Sequence, residues 1–279
     1  MQVITSARGM REAALRFRAE GKSVGLVPTM GMLHEGHLSL MRRARRENEV
    51  VAVSIFVNPA QFGPGEDFEA YPRDPAGDLE KGAREGVDVV FMPGPEEIYP
   101  PGDRTFVEVR DLSDRLCGAF RPGHFRGVTT VVAKLFALCR PHRVYFGRKD
   151  YQQWVIIRRM ARDLWMDVEV IGCPTVREAD GLALSSRNLY LSTEERVAAL
   201  GLRRGLVGIS EAFQKGARET GPLLEGARRV MEESGLRVDY AAVVHPETLE
   251  DLERIEGPAV ALGAAWCGRA RLIDNLELA

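Results

Sequence analysis

Two histidines, His34 and His37, flank a glycine in the string PTMGMLHEGHLSL, residues 28–40. Imidazoles offer hydrogen-bond donors whose charge follows that of a phosphate, so the pair suits phosphate chemistry. Zinc is a poorer fit, because HEGH is not H-E-x-x-H and Gly36 interrupts the turn that would align the rings. An isolated H-x-x-H says little. Its weight comes from its place between an apolar run and a helical pattern. A helix N-terminus there offers unpaired N–H groups and the positive end of its dipole, beyond the carboxyl end of a strand.

Three further clusters share that kind of place. Asn58 and Gln61 stand in NPAQF, just past the apolar run VVAVSIFV. Amides both donate and accept, so they suit a hydroxyl- or carboxylate-bearing substrate without adding charge. Asn58-Pro59 also reads simply as a turn. Gly147, Arg148, Lys149 and Asp150 follow VYF, and the compact ammonium of Lys149 suits a pyrophosphate or an α-phosphate. Ser185, Ser186 and Arg187 follow a glycine turn at Gly181 and offer two hydroxyls and a guanidinium to an anion.

The elements that must hold these groups alternate in type. Strands are expected at Val24–Val27, Val50–Val57, Val87–Met92, Thr105–Val109, Arg143–Phe146 and Val168–Ile171. Helices are expected at His37–Arg46, Asp74–Glu85, Thr129–Cys139 and Tyr151–Leu164. That alternation predicts βαβ units around a parallel sheet buried on both faces, a Rossmann-like α/β architecture. After about residue 176 the pattern changes. Helices at Thr193–Phe213 and Gly221–Glu233 precede apolar segments at Tyr240–Val244, Ala259–Trp266 and Arg271–Asp274, which predicts a smaller C-terminal α+β domain. The expected domains are residues 1–176 and 177–279.

Composition narrows the function classes. The chain has 279 residues, a formal net charge of −2, 45% hydrophobic and 28% charged residues, which excludes a disordered chain. It carries no basic excess with which to grip nucleic acid. No run approaches a membrane span, and the start MQVITSARGM lacks the apolar core of a secretory signal. Four dispersed cysteines, Cys117, Cys139, Cys173 and Cys267, form no zinc pattern and read as buried thiols of a cytoplasmic protein. Only five of the 38 basic residues are Lys, and Asn and Gln together number nine, so Lys149, Asn58, Gln61 and Gln153 are drawn from scarce types.

His34-Glu35-Gly36-His37 resembles the H-x-G-H element of the nucleotidylyltransferase superfamily. VPTMGMLHEGHLSLMRRAR, NPAQF with the later YPR, VYFGRKDYQQ and LSSR together resemble the pantothenate synthetase (pantoate–β-alanine ligase) family, in order across residues 24–191. RPGHFRGVTTVVAKLF at 121–136 and the later VDYAAVVHPETLEDL resemble it too. Two positions depart from the family strings: Arg148 stands where Glu is usual, and Leu184 where Met is usual.

The resemblance implies an ATP-dependent condensation of pantoate with β-alanine through a pantoyl adenylate, releasing pyrophosphate and AMP, within coenzyme A biosynthesis. It implies ATP contacts from Met30, Gly31, Met32, Leu33, His34, Glu35, Gly36, His37, Gly147, Arg148, Lys149, Asp150, Val176, Leu184, Ser185, Ser186 and Arg187. His37, His34, Lys149 and Arg187 are the implied catalytic groups. Pantoate falls to Gln61, Gln153 and Asn58, with Gln61 also beside β-alanine. Residues 63–73 become a mobile cover, and the C-terminal domain contributes the Ser-Ser-Arg loop and covers the active site. Mg2+ accompanies ATP, with no dedicated protein metal site and no tightly bound organic cofactor. The implied assembly is a homodimer in the cytoplasm, with no nucleic-acid or membrane partner. Two alternatives stand beside this reading: another nucleotidylyltransferase of the same fold, and a nucleotide-sensing module without turnover.

Overall fold

Strands whose successive residues are nearly all apolar bury both faces of a sheet, and VGLVPT, VVAVSI and VVF are of that kind, with only Thr29 and Ser54 polar. The computed structural model describes residues 1–278. The chain runs β1 (Gln2–Ile4), α1 (Ala7–Ala19), β2 (Val24–Thr29), α2 (Glu35–Glu47), β3 (Val50–Ile55), α3 (Pro75–Arg84) and β4 (Val89–Phe91). There follow α4 (Pro95–Ile98), α5 (Cys117–Phe120), α6 (His124–Cys139), β5 (Arg143–Gly147), α7 (Tyr151–Asp163) and β6 (Glu169–Cys173). The last elements are α8 (Thr193–Gln214), α9 (Thr220–Glu233), β7 (Arg237–Val244), β8 (Ala259–Cys267) and β9 (Ala270–Leu278). Short 3-10 turns lie at Pro59–Gln61, Arg148–Asp150 and Ser186–Tyr190.

Contacts divide the chain into two units. The first comprises Met1–Asp114, Arg121–Arg148 and Gln153–Pro174; the second comprises Arg115–Phe120, Lys149–Gln152 and everything from Thr175 onward. The segments around residues 117 and 150 therefore count with the C-terminal unit, which no composition shift announces.

The first unit holds a six-stranded sheet in the order β1-β4-β3-β2-β5-β6, all pairs parallel. Alternation sorts its residues between two faces. Val24, Leu26, Val50, Ala52, Val89, Phe91, Val144 and Phe146 pack with α1, α6 and α7; Val27, Val51, Val53, Val90 and Tyr145 pack with α2. From β2 the chain steps to β3 and β4 on one side, while β5 and β6 lie on the other. The switch point between β2 and β5 is where open α/β sheets bind ligands.

The expected strand at Thr105–Val109 is absent; these residues carry no regular structure. Their backbone bonds go to helix side chains instead. Val107 N donates to Thr130 Oγ1 at 3.0 Å, and Thr129 Oγ1 donates to Val107 O at 2.5 Å. With its polar groups satisfied by α6, the segment needs no strand partner. Sequence reading also passed over β1 and α1. β1 has three residues, and α1 buries only Met10, Ala13 and Ala14, so its stripe is narrow.

The second unit carries the antiparallel sheet β7-β8-β9, with α8 and α9 packed on it through Leu202, Leu206, Ile209, Ala227 and Met231. β9 extends well past the expected Arg271–Asp274, because its pairing with β8 runs unbroken from Ala270↔Cys267 to Leu278↔Ala259. All four cysteines are free and buried.

Candidate functional site

The chain leaves β2 through a loop with an unusual backbone. Gly31 has φ +86° and Met32, a non-glycine, has φ +50°, so two consecutive residues are left-handed. A side chain at Gly31 is doubly excluded, since a Cβ there would also lie 2.9 Å from Asp78 Oδ2. Strain at Met32 persists only where surroundings over-determine it, and here they do. Asp78, 1% exposed on α3, accepts Met32 N at 2.9 Å on one oxygen and Leu33 N at 2.7 Å on the other. Lys81 of the same helix donates to Leu33 O at 2.9 Å, and Thr29 Oγ1 accepts Gly31 N at 3.2 Å.

His34 is the N-cap of α2. Its Nδ1 accepts Gly36 N at 3.2 Å, and its own N–H donates to His37 Nδ1 at 3.3 Å. This is a capping box in which two imidazoles take the roles of Ser and Glu. The rings lie 4.1 Å apart, centroid to centroid, tilted by 37°. Because both Nδ1 atoms accept, each ring proton belongs on Nε2, making that edge a donor. The cap thus aims two N–H groups from the start of a helix whose positive dipole end lies at the same place. Glu35 is exposed and pairs with Arg42 along α2.

Beyond β3, Asn58 is 1% exposed and its side chain is fully engaged. Its Nδ2 donates to Gln61 Oε1 and to Gly127 O, both at 3.1 Å. Its Oδ1 accepts Ala60 N at 3.3 Å and Tyr99 Oη at 2.8 Å. Burial and the nearby Asp103 push the Tyr99 hydroxyl up to about 12, so it stays a donor. Asn58 therefore builds the turn and holds Gln61. The amide Nε2 of Gln61 reaches Met30 Sδ at 3.1 Å, which joins the turn after β3 to the loop after β2.

The segment after Gln61 is tied down through Glu66. Arg121 donates to both carboxylate oxygens, at 2.8 and 2.5 Å, and also reaches His124 Nε2 at 3.1 Å. His124 Nδ1 in turn donates to Gln61 O at 2.8 Å. Burial alone would raise the Glu66 carboxyl, but the Arg121 bonds and charge hold it below the usual glutamate value.

Gly147 ends β5, adjacent to β2 in the sheet, Arg148 opens the 3-10 turn that follows, and half-buried Gln153 lies in the first turn of α7. In the second unit, Lys149 is 19% exposed with its Nζ 3.7 Å from the Asp150 carboxylate. Gln152 is a tie within that unit: its Oε1 accepts Cys117 N at 3.0 Å and its Nε2 donates to Arg115 O at 2.7 Å. Val176 and Leu184 close a small hairpin through a 3.0 Å main-chain bond. Ser185 then caps the 3-10 turn that carries Ser186 and Arg187, accepting Arg187 N at 3.2 Å.

Sequence reading missed Asp78, Lys81, Arg121 and His124 as supports of this site. Asp78 left one signal: it shares the buried stripe of α3 with Gly82, an odd place for a carboxylate without a purpose. Among the described residues no group of three or more His, Cys, Asp or Glu could hold a metal ion, and no helix is long and apolar enough to cross a membrane.

The family described as pantoate-beta-alanine ligase matches residues 2–277. A pantothenate synthetase of Thermotoga neapolitana is 53% identical over 279 residues, spanning all of both chains. One from Moorella thermoacetica is 53% identical over 283 residues, spanning 100% of this chain and 99% of the relative. The crystal structure of pantothenate synthetase from Thermus thermophilus superposes with a TM-score of 0.94 at 50% identity, covering 99% of each chain. The pantoate-beta-alanine ligase of Francisella tularensis, complexed with beta-gamma ATP and beta-alanine, gives a TM-score of 0.82 at 33% identity, covering 99% of this chain and 97% of that one.

Proposed function

The chain belongs to the pantoate–β-alanine ligase family, and on that footing we propose how its residues carry out the ligation. It is an amide-forming ligase that joins pantoate to β-alanine. The observation that carries the residue assignment is the His34–His37 cap at the carboxyl end of β2, beside the switch point of the sheet.

In the first step a pantoate carboxylate oxygen attacks the α-phosphorus of ATP, and the bond to the β-phosphate oxygen breaks. Pantoyl adenylate and pyrophosphate result. Negative charge grows on the departing pyrophosphate, so donors fixed beforehand do the catalytic work. His34 and His37 present Nε2–H groups to the phosphates, and His37 hands a proton to the departing one. Lys149 and Arg187 add charge, while Ser185 and Ser186 hold phosphate oxygens. The backbone of Met30–Leu33, Glu35–Gly36, Gly147–Asp150, Val176 and Leu184 frames the nucleotide. In the second step the β-alanine amine attacks the acyl carbon, the bond to AMP breaks, and pantothenate leaves.

Gln61 and Gln153 orient pantoate, with Asn58 holding Gln61 and Gln61 also facing β-alanine. The 63–73 segment excludes water when substrates are bound. Mg2+ would come with the ATP phosphates and supply charge neutralisation there; phosphates and water would be its main ligands, with Asp150 the carboxylate that could approach it. An ATP-consuming biosynthetic step suits the cytoplasm, where four free thiols also persist. The family resemblance assigns a homodimer, which light scattering checks.

With pantoate and ATP but no β-alanine, the protein is expected to release a stoichiometric burst of pyrophosphate and then stop. AMP follows once β-alanine is added. AMP release that needs no β-alanine, or pyrophosphate release that needs no pantoate, overturns the assignment.

A further inference from the structure

Within the second unit, two adjacent residues of β9 hold two separate segments that the proposed function assigns to ATP. Asp274 and Asn275 are 4% and 7% exposed and pair with Gly263 and Leu262 of β8. β9 lies at the edge of its three-stranded sheet, so one side of its backbone faces away from β8. Asn275 Nδ2 donates to the main-chain carbonyl of Lys149 at 2.9 Å. Asp274 accepts both terminal nitrogens of Arg177 at 2.8 Å, a bidentate pair, and also accepts Asn275 N at 2.8 Å.

Arg177 stands at the root of the hairpin that leads to Ser185. Its main chain bridges Ala183, and its guanidinium also donates to Gly181 O at 3.1 Å inside the same turn. Asn275 O, on the open edge of β9, accepts Arg177 Nη2 at 3.4 Å. One dipeptide thus fixes the backbone at Lys149 and, through Arg177, the loop that carries Ser185, Ser186 and Arg187. Those contacts are part-buried and directional, and the groups they hold must meet phosphate oxygens to within fractions of an ångström.

We propose that Asp274 and Asn275 are positioning residues of the ligase: Asn275 sets where Lys149 stands, and Asp274 sets the Ser-Ser-Arg loop through Arg177. The inference rests on Lys149 and Arg187 serving ATP. Asn275→Asp keeps the side-chain shape but turns an acceptor toward the Lys149 carbonyl. Asp274→Asn removes one of the two oxygens that Arg177 grips, and Arg177→Lys keeps the charge while losing the fork.

Each variant is assayed for steady-state pyrophosphate release at saturating β-alanine, with ATP and pantoate varied separately, and its melting temperature is recorded. Lys149→Ala and Arg187→Ala are run alongside. Asn275→Asp is expected to lower kcat at least roughly tenfold, and Asp274→Asn and Arg177→Lys to raise the KM for ATP at least roughly fivefold. In all three the KM for pantoate stays within about twofold, a split that general loosening of the fold does not produce. Unchanged kcat and ATP KM in the three variants, with Lys149→Ala and Arg187→Ala inactive, overturn the positioning role alone. A parallel rise in both KM values together with a lowered melting temperature also overturns it. Near-normal activity in Lys149→Ala and Arg187→Ala removes the functional reading beneath it. Should Asp274→Asn fail to fold, Arg177→Lys at its half-buried site reads the same contact from the other partner.

Discussion

Asp78 on α3 accepts the main-chain amide of Leu33 at 2.7 Å, across a gap of 45 residues in sequence. Its other oxygen accepts Met32 N, the residue held at φ +50°. Asp78→Ala removes both acceptors and leaves two amides unsatisfied in a buried place, which costs about 1–3 kcal/mol per group. The loop is then expected to relax at Met32, with a lower melting temperature and an ATP KM raised at least roughly tenfold. Thermal melts and ATP titrations of pyrophosphate release check it; an unchanged ATP KM in a folded variant refutes the coupling.

The His34 cap separates two jobs that one side chain performs. Asn at an N-cap is as good as any residue, so His34→Asn should keep α2 within about 0.5 kcal/mol of native stability. It removes the Nε2–H donor, and kcat should fall at least roughly 100-fold. His37→Ala and Lys149→Ala should each fall by a similar factor with the fold intact. Near-normal adenylate formation in any of the three removes that residue from the charge-stabilising set.

Gly127 lies where α6 meets the Asn58–Gln61 turn. A Cβ there would stand 2.1 Å from Ala60 O and 2.7 Å from Gln61 Cα, both backbone atoms that cannot swing aside. Gly127→Ala should displace the turn, costing about 1–3 kcal/mol as overpacking does. Pantoate KM is expected to rise while ATP KM holds. Gln61→Ala should reproduce the pantoate defect without the loss of stability, measured by the same two titrations and a melt.

Glu66 makes the tie of the 63–73 segment pH-dependent. Its folded carboxyl titrates below its ordinary value of 4.5, since Arg121 outweighs the effect of burial. A depressed folded pKa means the contribution is fully present above about pH 4.5 and fades as pH falls through the lower folded value. Cleavage of the segment by a protease active in acid should therefore stay slow down to about pH 4.5 and accelerate below it. Glu66→Gln should be cut quickly at every pH; equal rates for both forms across the range rule the clamp out.

Much of the architecture was legible because it depends on local pattern. Runs such as VVAVSI, short and rich in β-branched residues, read as strands buried on both faces, and the string from Pro28 to Leu40 places a cap, a glycine and two imidazoles at a strand–helix junction. Thr105–Val109 misled, because β-branched residues signal a strand without saying what will satisfy their backbone groups. Here the side chains of Thr129 and Thr130 do so, and they come from a helix.

By itself the sequence determined the family, the α/β class and the candidate residues, since these rest on residue types and on spacings of a few positions along the chain. Only the tertiary structure decided how those residues are held. It saturates Asn58 as a turn-builder, sets Asp78 and Lys81 under the loop of His34, ties Glu66 to Arg121, and attaches Lys149 to Asn275, 126 residues away. The reason is physical. A hydrogen bond depends on where two atoms stand to within tenths of an ångström, and across such separations that distance is set by the packing of the intervening elements, which no short pattern encodes.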